Sequence, residues 1–90
     1  MKEVYVVVEE GSWDYESTND VAVFDSFEKA LENFNYRVSI AQFDMSSWTD
    51  DIASEQTINE ATQSASFEIY EDGDFTRLHD TIQILKKEVK

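Results

Sequence analysis

The chain has 90 residues, with 20 acidic and seven basic side chains and a net charge of -13. A chain of this length makes one domain, residues 1–90. The charge excludes nucleic acid and anionic membranes as direct partners and points to basic surfaces, and the lack of cysteine excludes disulfides and thiolate chemistry.

Acidic chains that lack aromatics stay disordered. This one has six Phe, four Tyr, two Trp and no Pro, so a packed core is expected. The apolar run Val4–Val8 is too short for a signal-peptide core, and no run approaches a membrane span. A soluble, cytoplasmic protein is expected.

Val4–Val8 is β-branched and aromatic, apolar on both faces, and reads as a strand covered on one or both sides. Glu9-Glu10-Gly11 is expected to end it. Ser12–Asp20 reads as a polar loop and Val21–Phe24 as a second, short strand. Asp25-Ser26-Phe27-Glu28 resembles a capping box, with Asp25 as the cap. After it, Phe27, Leu31, Phe34, Val38, Ala41 and Met45 form one apolar stripe, which predicts a long helix to about Ser46. Tyr36, Ile40 and Phe43 lie off that stripe and suggest contact with a second element or a partner.

Ser46–Ser64 is weakly patterned, with room for a short helix around Thr57–Thr62. Ala65, Phe67 and Ile69 alternate with polar residues as a strand does, and Glu71-Asp72-Gly73-Asp74 is a tight turn. The last segment has helical spacing at Phe75, Leu78, Ile82, Leu85 and Val89 but alternates at Thr81–Ile84. We read it as a strand, because residues 65–70 need a hairpin partner; a C-terminal helix is the alternative. The fold expected is α+β: an antiparallel sheet of about four strands with one long helix across a face. The expected core is Val6, Val8, Val23, Phe27, Leu31, Phe34, Val38, Phe67, Ile69 and Ile82.

No catalytic group stands out. His79 is the only imidazole and reads as a hydrogen-bonded, half-exposed side chain. The acidic turn at residues 71–74 lacks the ligand spacing of a calcium loop. Neither a cofactor nor a metal is expected, and the chain is not read as an enzyme. Binding is the stronger reading. Between Glu3 and Leu85 stand 19 acids and only three basic residues, Lys29, Arg37 and Arg77. Spread evenly, twenty carboxylates lie roughly 16 Å apart on about 5,400 Å² of surface, some two Debye lengths, and do little together. Clustered, they steer a basic partner. Alternate strand residues lie about 6.6 Å apart and i,i+4 helix neighbours about 6 Å, close to the phosphate spacing of one nucleic-acid strand. Trp13 and Trp48 sit in acidic surroundings and suit an interface. The candidate partner-binding residues are therefore Trp13, Asp14, Glu16, Asp20, Trp48, Asp50, Asp51, Glu71, Asp72 and Asp74.

Val4–Val8, the segment Val23-Phe24-Asp25-Ser26-Phe27-Glu28-Lys29-Ala30 and the Asp72-Gly73-Asp74 turn with its Lys-Lys-Glu-Val ending resemble small acidic proteins of phages and mobile elements in Gram-positive bacteria. In size, acidity and lack of catalytic groups the chain is also similar in type to anti-CRISPR proteins. That resemblance implies a phage-encoded inhibitor, acting without catalysis, that occludes the basic nucleic-acid-binding surface of a host defence nuclease such as a CRISPR effector. The alternative is a structural or regulatory phage accessory protein acting by protein–protein or self-association, with Tyr36, Ile40 and Phe43 as its contact face.

Overall fold

The computed structural model describes residues 2–13, 16–72 and 78–89, with Trp13 and Glu16 described by their backbone alone. Its elements are β1 (Lys2–Trp13), β2 (Glu16–Phe24), α1 (Phe27–Ser46), β3 (Ile52–Asn59), β4 (Ser64–Glu71) and β5 (Leu78–Val89). The strands form one antiparallel sheet in the order β2-β1-β5-β4-β3. α1 joins one edge strand to the other and lies across one face, so the fold is α+β. No described helix is long and apolar enough to cross a membrane.

Five strands form where about four were expected, and the addition is β3. Its Ser54-Glu55-Gln56 stretch has no apolar alternation, and only Ile52 and Ala53 are half-buried. Backbone pairing with β4, from Ile52 opposite Glu71 to Asn59 opposite Ser64, holds it at the edge. That pairing replaces the short helix expected near Thr57–Thr62. The chain instead turns after Asn59, with Gln63 at φ 55.

The first hairpin is also longer than its sequence suggests. Glu9-Glu10-Gly11 does not end β1, and the expected loop from Ser12 mostly belongs to strands. β1 pairs along its full length with β5 and from Tyr5 onward with β2. A strand with ladders on both sides tolerates Glu and Gly that a propensity reading places in a loop. At Gly11 the register puts Asp80 and Thr18 on either side, on the face toward α1. A glycine there adds no side chain to that crowded row. The ambiguous C-terminal segment is strand β5, paired with both β1 and β4.

α1 starts one residue later than the capping box implies. Ser26 is the cap, and its Oγ accepts from the Lys29 N–H at 3.2 Å. Asp25 bonds the Lys29 ammonium at 3.0 Å instead. The helix buries Ala30, Phe34, Val38, Ala41 and Met45, with Phe27 and Leu31 half-buried beside them. They meet Tyr5, Val7, Phe67, Ile69, Ile82 and Ile84 from the sheet. Tyr5 packs edge-to-face on Phe27 and donates its hydroxyl to Gln63 Oε1 at 2.7 Å.

Three expected core residues are misplaced. Val6 and Val8 are half-buried and Val23 is exposed, because they point to the sheet face away from α1. A run in which every residue is apolar carries no phase, so its alternation cannot say which half faces the helix. The register decides it, by putting Tyr5 opposite Phe24 and Val7 opposite Ile84.

Candidate protein-binding surface

Topology brings distant acidic stretches to one end of the sheet. Trp13 pairs with Glu16 and with Leu78, Tyr70 with His79, and Ile52 with Glu71. The end of β1, the starts of β2, β3 and β5 and the end of β4 therefore share that end, and α1 also finishes there. A backbone bond from the Asp72 N–H to the Asp51 carbonyl, 2.9 Å, clamps two of these stretches together. Asp50, Asp51, Glu71 and Asp72 thus form one group, with Asp50, Asp51 and Asp72 exposed. Asp14 and Asp74 lie outside the described residues, as do the side chains of Trp13 and Glu16.

The helix end adds to this negative potential. Carbonyls at a C-terminus carry partial negative charge, and a basic residue in the last turn stabilises them. α1 has no basic residue there and carries Asp44 instead. The hydroxyls of Ser46 and Ser47 donate to the carbonyls of Phe43 and Asp44, at 2.8 and 2.6 Å. Those bonds satisfy the backbone without supplying positive charge. Asp44 is not among the candidate partner-binding residues read from sequence, although it belongs to the acidic run of the middle segment; the missing Lys or Arg near residue 44 was the available signal.

Beside this end stands an apolar surface. Trp48 is 72% exposed, in the turn where its own N–H and that of Thr49 donate to the Met45 carbonyl. On α1, Tyr36, Ile40 and Phe43 recur at i, i+4 and i+7, on the side away from the buried row. All three are exposed, Phe43 to 74%. They form an exposed apolar group rather than scattered single side chains.

Asp20 stands apart from the other candidates. It lies mid-strand in β2, opposite Glu9, and its carboxylate accepts from Arg37 Nη1 at 2.8 Å. The same nitrogen bonds Glu9 at 3.0 Å, while Arg37 Nε donates to Asn33 at 2.7 Å. That bond and the Arg37 charge hold the Asp20 carboxyl below its ordinary range. Arg37 thus ties α1 to β1 and β2, with Asp20 as its exposed partner on β2.

His79 is half-exposed, 3.8 Å from Glu68 and tilted against Tyr70. Ser12 stands opposite it across the β1–β5 ladder. Among the described residues no three His, Asp or Glu side chains are grouped to hold a metal ion. Comparison of the chain with protein-family models, with curated proteins and with solved structures finds no match.

Proposed function

We propose that this protein works by binding, without catalysis, and that its acidic end and Trp48 dock on a basic surface of another protein. The observation that carries this reading is the clamp from Asp72 to Asp51. It gathers Asp50, Asp51, Glu71 and Asp72 at the negative end of α1, beside an exposed indole. Among the described residues no Lys or Arg lies in the 44–52 or 71–72 stretches to neutralise them. Like-charged carboxylates repel and oppose folding, and a cationic partner removes that cost. Surfaces that hold nucleic acid have the required chemistry. A phage-encoded inhibitor occluding such a surface on a host defence nuclease is the specific form of this proposal, and it rests on the resemblance in size and acidity.

The test is capture of basic, nucleic-acid-binding proteins at low salt, with elution by a salt gradient and competition by DNA. Wild type should release its target at moderate salt, and DNA should displace it. The D50N/D51N/E71Q/D72N variant should lose most of the affinity. Binding that ignores both salt and these substitutions overturns the reading.

Tyr36, Ile40 and Phe43 favour a second reading, an accessory protein that acts through an apolar contact. In that case Phe43→Ala abolishes binding while salt leaves it unchanged.

A further inference from the structure

α1 covers one face of the sheet, and among the described residues nothing covers the other. Register fixes what that open face presents. Val6 lies between Val23 and Leu85, and Val8 between Val21 and Gln83. Val21 and Val23 are 58% and 62% exposed. With Val4 they form an apolar patch over three neighbouring strands. The charges around it are divided by position. Lys87 lies opposite Val4 at one end, while Glu10 and Glu68 flank Thr81 at the other. Neither Lys87 nor Glu10 has an ion-pair partner among the described residues.

We propose that two copies of the chain pack these open faces together about a two-fold axis lying across the strands. Centred between the Val6 and Val8 rows, that axis lays Val6 and Val23 of each copy on Val8 and Val21 of the other, with Val4 over the partner's Glu10 row. It also sets Lys87 of each copy over Thr81 of the other, between Glu10 and Glu68. The face is therefore complementary to itself in charge as well as in apolarity, as an isologous contact requires.

The area is sufficient. Five strands at about 4.8 Å and some eight shared residues at about 3.4 Å make a face of roughly 24 by 27 Å. About the axis proposed, β1 and β5 overlap the partner along most of their length but β2, β3 and β4 only in part, so the contact buries about 540 Å² per copy and about 1,100 Å² in all, just above the roughly 1,000 Å² that a biological interface needs. The accessible surface of the chain is 6217 Å², against about 5,400 Å² for a compact monomer of this mass. Packing through this face also keeps α1 and the acidic ends on the outside. Two bodies of charge -13 then meet along their least acidic side, with their acidic ends at opposite poles.

Sedimentation equilibrium of the intact chain, over about 1 to 200 µM, tests this. Expected at moderate salt is a species of roughly 21 kDa, twice the 10.4 kDa chain, that loosens at low salt as charge repulsion loses its screening. Val23→Glu, at a site already exposed, should raise the dimer dissociation constant at least tenfold with an unchanged circular dichroism spectrum. Lys87→Glu should weaken the dimer, and adding Glu10→Lys and Glu68→Lys should restore it. A chain that stays monomeric at 200 µM and moderate salt overturns the proposal, as does a dimer indifferent to Val23→Glu. The monomeric Val23→Glu variant keeps its acidic end, so its capture of a basic partner tests the functional reading separately.

Discussion

Replacing Asp80 by Asn should make this protein more stable, increasingly so as pH rises. Asp80 sits on β5 beneath α1, between Gly11 and Ile69 in the register. It is 4% exposed, and its Oδ1 has no hydrogen-bond partner among the described residues. Burial, then the hydrogen bond and negative charge of Glu9, push its pKa up from 3.8 to about 8, against smaller opposing effects of the Thr81 backbone and Arg37. At pH 7 the folded chain therefore keeps Asp80 neutral, donating to Glu9. The unfolded chain ionises near the ordinary value. Between about 3.8 and 8 the folded state holds the extra proton, so this group's contribution to stability is full below the window and falls as pH rises through it. From pH 5 to pH 8, three units at about 1.36 kcal/mol each set an upper bound of roughly 4 kcal/mol. Relaxation around a charged Asp80 lowers this, and about 2–4 kcal/mol is the expected range. Asn cannot ionise but still donates to Glu9. In urea titrations followed by circular dichroism, the lead of D80N over wild type should grow by that amount between pH 5 and pH 8. Taking the difference cancels the repulsion of the other carboxylates, which both proteins share. A difference that stays flat with pH refutes the reasoning, because it means that Asp80 ionises normally in the fold.

Two further outcomes follow from packing and exposure. Phe34 is fully buried between α1 and the sheet, and Phe34→Ala should cost about 3–5 kcal/mol, measured as a shift in the urea midpoint at unchanged slope. Trp48→Ala should change stability by less than about 0.5 kcal/mol, since an exposed side chain adds little to the core. It should nevertheless weaken capture of a basic partner about tenfold or more, read by titration of the captured protein.

The helix was legible because its signal is redundant. Six apolar positions at alternating spacings of 3 and 4 leave no other element that buries them together. Polar edge elements were not legible. In β3 the stabilising groups are backbone N–H and C=O paired with β4, and side chains such as Ser54, Glu55 and Gln56 carry no trace of that pairing. In Glu9–Ser12 the strand persists because β5 lies alongside, a neighbour about 70 positions away in sequence. Asp20 illustrates the same limit at the candidate site. Its acidity suggested a partner's cation, and within the chain the structure sets it against Arg37 on the helix above.

The sequence by itself determined the class of the protein: a small, strongly acidic α+β chain with a helix from Phe27 and strands rich in Val and Ile. These are local or summed properties, and composition and periodicity report them directly. Only the tertiary structure decided that Tyr5 and Val7 rather than Val6 and Val8 face α1. It alone placed Asp51 against Asp72 and buried Asp80 near Glu9. Each depends on which distant strands become neighbours and in what register. A shift of one residue reverses every facing, so such juxtapositions exist only once the sheet has formed.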